Sequence, residues 1–386
     1  MSTVEATKAP ASKGMAGMVV GDSSVSYVDG AHGILEYRGH DIRQLAEHSN
    51  FEEVAYLLWN GHLPTRAQLE TMKAENRDCR PLPPEIITVL RAVPRDADPM
   101  AVMRTSVSML AYYDPDAEDM SAPAQQRKAC RLLGQIAAIL AAFLRIRDGQ
   151  PPIRPRQGDD NAVNFLWMLT GEDPAPTAVK ALDQYLLLLA EHEMNASTFT
   201  ARVTASTESD LHSAITSALG TLKGPLHGRA VQEAMEQFLE IGTVENVVPW
   251  FNKIHGEGRR VMGIGHRVYK VRDPRAAPLM KNLETMVGAT GDRKWFDIAH
   301  KLEETAQAHP YFRERNLSAN VDFYSAPLLY SLGIPVDAFT CMFAMSRIVG
   351  WCAHVFEQQA DNRLIRPLSN YVGQHDLPWV PIEQRE

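Results

Sequence analysis

Two isolated charges are the first candidates for chemistry in this 386-residue chain. From Leu317 to Val336 every residue is apolar or neutral except Asp322, and from Ala338 to Phe356 the only formal charge is Arg347. Carboxylates and guanidiniums are seldom buried unpaired, because taking an ion out of water is expensive. Each charge therefore faces solvent or closes a structural ion pair, or both point into a ligand cleft. Two histidines lie among glycines. His227, in Lys223-Gly224-Pro225-Leu226-His227-Gly228, directly precedes a helical pattern. The positive end of a helix dipole disfavours imidazolium, leaving a neutral ring that donates a hydrogen bond, although an ordinary capped turn reads the same way. His266 follows Gly263-Ile264-Gly265, where glycines allow a ligand close to the backbone. Between Arg259 and Arg275 stand six Lys/Arg (259, 260, 267, 270, 272, 275) against Asp273 alone, inside a chain of net charge −8. That stretch suits phosphates and carboxylates, or is a solvated basic loop. Asp273-Pro274 reads as an N-cap and first-turn pair.

Other chemistries are excluded by spacing. Glu191-His192-Glu193-Met194-Asn195 is not a metalloprotease HExxH, since residue 196 is Ala. No His/Cys/carboxylate pattern suggests a metal, and there is no phosphate-binding P-loop, dinucleotide fingerprint or nucleophile elbow. The acidic balance (47 Asp+Glu, 39 Lys+Arg) argues against a general nucleic-acid binder. Cys79, Cys130, Cys341 and Cys352 have no ligand-like spacing and read as reduced thiols of a cytoplasmic protein. The longest apolar run, Ile136 to Leu144, is too short for a membrane span. Residues 1–18 read as a frayed, disordered tail.

The elements that must position these residues are almost all helices. Val25 to Tyr37 holds two β-prone runs around Asp29-Gly30, a hairpin pattern. Helices are expected at Phe51–Asn60 stopping at Gly61, from Pro99 to about Tyr112 with Asp98 as cap, at Gln125–Arg147, and at Thr177–Glu193. Further ones are expected at 208–222, 228–241, 243–257, 276–288, 292–308 and 336–357. The class is all-α with one small N-terminal β-hairpin. Residues 227–325 are more charged than the helices on either side, which suggests a smaller unit inserted into a larger one.

Six strings in order resemble citrate synthase of the short bacterial and archaeal type: AEHEMNASTFTARV (190–203), GPLHG (224–228), GIGHRVYK with DPRA (263–276), NVDFYS (320–325), SRIVGW (346–351) and RLIRPLSNYVG (363–373). The similarity runs from about Gly21 to Pro381. It implies a two-domain helical homodimer, with a large domain of 19–226 plus 329–386 and a small lid domain of 227–328. It also implies condensation of acetyl-CoA with oxaloacetate through an enol and citryl-CoA, at the entry to the tricarboxylic acid cycle. By match to the family's motifs, Asp322 is the base, His227 stabilises the enol, and His266 protonates the oxaloacetate carbonyl. His192, Arg275 and Arg347 match oxaloacetate and citrate ligands, as does Arg366 reaching from the partner subunit, and Phe343 lines the site. Val261, Met262, Gly263, Ile264, Gly265, Arg267 and Lys270 match the region near CoA. The resemblance implies no metal, no redox cofactor, no nucleic acid and no membrane; CoA thioester is a substrate. The chain departs from the family at Arg229-Ala230-Val231, Ala326-Pro327 and Ser318-Ala319. The close rival is 2-methylcitrate synthase, which uses propionyl-CoA, because one methyl gives only about 1–3 kcal/mol of discrimination. A non-catalytic CoA- or carboxylate-binding protein is the reading from another class.

Overall fold

The computed structural model describes residues 13–15 and 17–385. Most of the expected tail, residues 1–12 and 16, lies outside the described residues; Lys13–Met15 form a 3-10 turn. Two antiparallel strands, β1 (Ser26–Asp29) and β2 (Ile34–Tyr37), form the expected hairpin, with Tyr27 opposite Glu36. A third strand, β3 (His40–Asp41), was not anticipated. It pairs with β2 because Arg38 and Gly39, both at positive φ, turn the chain straight back.

The rest of the described chain is helices and their connections. First come α1 (Ile42–His48), α2 (Phe51–Asn60), α3 (Arg66–Cys79), α4 (Pro84–Ala92), α5 (Pro99–Leu110) and α6 (Ala122–Arg147). Then follow α7 (Asn161–Thr170), α8 (Pro176–Leu189), α9 (Ala196–Ser206), α10 (Leu211–Leu222), α11 (Ala230–Ile241) and α12 (Val247–Gly256). The last are α13 (Ala276–Thr290), α14 (Lys294–Ala308), α15 (Pro310–Glu314), α16 (Val321–Ser331) and α17 (Phe339–Ala360). Their ends follow side-chain chemistry. Asn50 accepts from Glu53 N to start α2, and Gly61 ends it in the left-handed region. Thr65 and Gln68 form a capping box on α3. Asp98 accepts from Ala101 N to start α5.

Three expectations need correction. The helix expected to reach Glu193 ends at Leu189, so His192 lies on a loop whose next residue, Glu193, has φ 53. Helix α9 was not foreseen, because Thr198, Thr200, Val203 and Thr204 are weak helix formers; packing on α10 and α17 overrides that preference. Asp273 does not cap α13: its carboxylate is taken by the Arg275 backbone and guanidinium, and Arg275 holds the cap position.

Helix α17 is the axis of the core. Every residue from Phe339 to Val355 is buried, against α2, α5, α6, α8, α9 and α10. By length and composition both α6 and the stretch 336–360 could cross a bilayer, yet 78% and 94% of their apolar windows are buried inside the fold. A second group of helices packs mainly on itself: α11 and α13 lie on α16, and α14 contacts α12, α15 and α16. Helix α13 also packs on α8 of the first group. Residue 328, the expected domain boundary, lies inside α16.

Candidate active site

Apart from Arg366, the polar residues singled out in the sequence converge where α16, α17, the loop after α8 and the turn before α11 meet. Asn320 caps α16, its side chain accepting from Asp322 N at 2.9 Å, and so sets Asp322 in the first turn. The Asp322 carboxylate has no hydrogen bond or ion pair among the described residues, and part of its surface is open. Desolvation pushes its pKa up to about 6, against the opposing pull of Arg275; Asp273 adds to the rise and Arg347 opposes it.

Arg347 is buried on α17, with its guanidinium 4.6 Å over the Phe343 ring one turn away. Its Nε donates to Leu189 O at 2.8 Å, and among the described residues no carboxylate pairs with it. Burial draws its pKa down to about 10, still a cation at neutral pH, while Glu191 pulls the other way. Arg275, equally buried, is instead locked to Asp273. Nε donates to Oδ1 at 2.9 Å and Nη2 to Oδ2 at 2.7 Å, a bidentate pair. Burial opposes the charged form of both partners, but their mutual charge overcomes it, so the acid goes down and the guanidinium up. Asp273 Oδ2 also accepts from Val321 N at 3.2 Å, which ties this pair to α16.

Each histidine is held by one ring nitrogen. His266 Nδ1 accepts from the backbone N–H groups of Val268 and Tyr269, both at 3.1 Å. A backbone N–H only donates, so Nδ1 carries no proton and the neutral ring presents Nε2–H. His227 Nε2 accepts from Ser197 N at 3.3 Å and lies 2.8 Å from Ser197 Oγ, so the same logic leaves its proton on Nδ1. Burial lowers both pKa values to about 4, assisted by the charge of Arg347 at His227 and of Arg275 at His266. His227 thus departs from the sequence argument: α11 begins three residues later, and the amide it meets belongs to α9. Burial, more than its own helix dipole, keeps it neutral. His192 is 3.1 Å from Tyr269 Oη through Nε2 and 5.7 Å from the His266 ring. Desolvation, then Arg275, Arg347 and His266, hold it well below the usual imidazole range.

The Gly263–Gly265 loop is strapped to the segment before α16. Asn320 N donates to Gly263 O, Asn320 Nδ2 to Gly265 O, and Gly265 N to Ser318 O. Gly263 is obligatory there: it has φ 79, and a Cβ would lie 2.9 Å from Phe323 Cα. Gln237 clamps Met262 from α11, donating to its carbonyl at 2.7 Å and accepting from its N–H at 2.9 Å. Val261 is buried, while Met262 and Ile264 are half-buried. Of the six cations at 259–275, Arg275 pairs with Asp273, Arg259 with Glu240 and Glu257, and Arg272 with Glu303. Arg260, Arg267 and Lys270 remain exposed, with no carboxylate partner among the described residues. Lys270 N donates to Gly30 O at 2.7 Å, so the hairpin tip braces this loop. Arg366 stands apart, exposed on the irregular segment after α17.

Ser197, Tyr269, Gln237 and Asn320 were not singled out as site residues from sequence. Asn320 and Ser197 stand inside matched strings, which is the signal available. Tyr269 and Gln237 act through contacts that only the fold creates.

The chain and its fold have known relatives. The family model "Citrate synthase, C-terminal domain" matches residues 14–368. Citrate synthase 2 of Bacillus subtilis (strain 168) is 43% identical over 97% of this chain and 99% of its own. The 2-methylcitrate synthase of Mycobacterium tuberculosis (strain H37Rv) is 42% identical over 96% and 92%. Among solved structures, citrate synthase from Pyrobaculum aerophilum superposes with a TM-score of 0.91 at 40% identity, over 97% of this chain and 95% of that one. The Thermoplasma acidophilum enzyme, in a ternary complex with carboxymethyl coenzyme A and oxaloacetate, gives 0.90 at 33% identity, over 97% and 100%. With a family model spanning most of its length and relatives matched nearly end to end, the chain belongs to the citrate synthase family.

Proposed function

We propose that the protein is a transferase that condenses acetyl-CoA with oxaloacetate to citryl-CoA and hydrolyses it to citrate and CoA. The observation that carries this reading is a carboxyl poised near pKa 6 beside two neutral histidines, each with one N–H free, and two buried guanidiniums. Asp322 removes a methyl proton from the thioester. His227 Nδ1–H hydrogen-bonds to the thioester oxygen and stabilises the enol. The enol carbon attacks the oxaloacetate carbonyl, whose oxygen takes the proton of His266 Nε2; water then cleaves citryl-CoA. Arg347, the free Nη1 of Arg275, and His192 hold the carboxylates, with Phe343 behind them. Arg260, Arg267 and Lys270 suit the CoA phosphates, and Val261–Gly265 the adenine.

The reading extends to assembly. Residues 227–328 act as a lid on the larger unit of 19–226 plus 329–386. A homodimer places Arg366 in the partner's cleft. Supporting it, the exposed segment after α17 carries Leu364, Leu368, Tyr371, Val372 and Trp379, apolar surface that a second subunit would cover. Four free thiols suit the cytoplasm.

The test is thiol release on mixing the protein with oxaloacetate and either acetyl-CoA or propionyl-CoA. A higher kcat/KM for acetyl-CoA is expected. A large propionyl preference would make it a 2-methylcitrate synthase, and no release with either donor would make it a non-catalytic binder.

A further inference from the structure

The tip of the β1–β2 hairpin presses on the turn that holds His266. Asp29 pairs with Ile34, so residues 30–33 connect the two strands. Asp29 Oδ1 accepts from Ala31 N at 2.9 Å and from His32 N at 3.1 Å, which fixes the shape of the tip. Gly33 supplies the left-handed conformation, φ 66, whereas Gly30 does not lie at positive φ. The backbone of the turn therefore makes no demand for glycine at 30. The demand is for space: a Cβ on Gly30 would lie 2.3 Å from Val268 O and 2.7 Å from Val268 C. That carbonyl belongs to the planar peptide whose other end is Tyr269 N, the amide that donates to His266 Nδ1 at 3.1 Å. One rigid peptide thus has Gly30 against its oxygen and gives its N–H to the histidine. Gly30 O accepts from Lys270 N at 2.7 Å, which fixes the next peptide as well. Gly33 comes as close a little further along, where a Cβ would meet Val271 Cγ2 at 2.8 Å.

We infer that Gly30 is a positioning residue for His266: through the Val268–Tyr269 peptide, the hairpin tip fixes the Nε2–H tautomer of that ring. A neutral imidazole carries its proton on one nitrogen only, and the hydrogen bond made by the other decides which. Two N–H donors converging on Nδ1 leave the proton on Nε2. A side chain at 30 displaces the peptide, removes the Tyr269 donor and turns the Val268 one. Nδ1 is then free to hold the proton, and Nε2 has none to give. The effect on rate rests on the reading of His266 as the proton donor to oxaloacetate; the effect on the tautomer does not.

The full-length protein, labelled with ¹⁵N-histidine, is compared with its variants by long-range proton–nitrogen NMR at neutral pH. The His266 signals are those missing from His266→Gln. The parent should show an unprotonated Nδ1 and a protonated Nε2. Gly30→Ala should show the opposite tautomer or an average of the two, and kcat at saturating oxaloacetate and acetyl-CoA should fall about tenfold or more. Asp29→Ala, which loosens the tip, should change the ring in the same direction by less. Asp29→Asn, which keeps an accepting oxygen for both amides, should restore the parent spectrum. Retention of the Nε2–H tautomer in Gly30→Ala would overturn the inference, whatever the rate does. If Gly30→Ala does not fold, an unchanged ring in Asp29→Ala would overturn it instead. A changed tautomer with undiminished kcat would uphold the inference and remove His266 from its proposed role.

Discussion

Asp273 with Arg275 and Asp322 with Arg347 are two carboxylate–guanidinium couples beside one cleft, and they are wired in opposite ways. In the first, two hydrogen bonds join acid and base, the pKa values move apart, and neither group has a proton to trade near neutrality. In the second there is no ion pair: the acid rises to about 6 and the guanidinium falls to about 10. Burial acts on all four groups, so partner geometry makes the difference. A closed couple fixes structure, here by anchoring α16 through Val321 N. An open couple holds unspent binding and acid–base capacity, which is what a dicarboxylate and a weak carbon acid require. A third cluster supports the contrast: buried Glu191 meets His354 at 2.9 Å, and Arg202 meets Glu357 at 2.6 Å, so these polar groups satisfy one another.

The largest expected effect is on the open acid. Asp322→Asn should lower kcat about 10²–10⁴-fold, the usual contribution of a positioned acid–base group. Oxaloacetate binding, read by calorimetry, should survive; normal turnover would remove Asp322 from the base role. Next come the two arginines, compared by urea unfolding. Arg275→Leu strands Asp273 in the interior and should lower stability by about 3–5 kcal/mol. Arg347→Leu removes a cation with no ion pair and should leave apo stability within about 1 kcal/mol of the parent. Its loss should appear instead as weakened oxaloacetate binding. Equal destabilisation by both variants would erase the distinction drawn between the couples.

Sequence made the open couple legible and hid the closed one. Asp322 and Arg347 stand out because a lone charge in an apolar stretch has no local partner, and burial makes that anomalous. Asp273-Pro274 imitates a helix cap, and only the fold shows the carboxylate turned onto Arg275. The histidines were legible as residues but not in their tautomers. His227 depends on an amide of α9, thirty residues earlier in the chain and in a helix that propensity did not announce. His266 was nearer to being readable, since its acceptors' partners are the amides two and three residues ahead, a local turn that Gly265 permits. Helix ends with Asn, Asp or Thr caps were the easiest part, because capping is local chemistry; α9 also has one, at Asn195, but its β-branched interior masked the signal.

The smallest effect expected comes from the proton on Asp322 itself, and it should act in opposite directions on rate and stability. As the proposed base, Asp322 must be ionised, so kcat/KM should fall tenfold for each pH unit below about 6. His227 and His266, drawn down to about 4, stay neutral through that range and should add no second break above it. Stability should run the other way. The folded pKa of Asp322 lies above that of an unfolded aspartate, about 3.9, so the folded state holds the proton more tightly. That contribution is complete below the unfolded value and is lost as pH rises through about 6. Asp322→Asn should therefore flatten this segment of the stability profile between about pH 4 and 6. A variant of Asp273 would instead remove stability present above the unfolded pKa, since its folded pKa is depressed. If the parent and Asp322→Asn show the same slope in denaturant midpoint over that window, Asp322 is not the strained acid of the open couple, and the kinetic break near 6 must belong to another group.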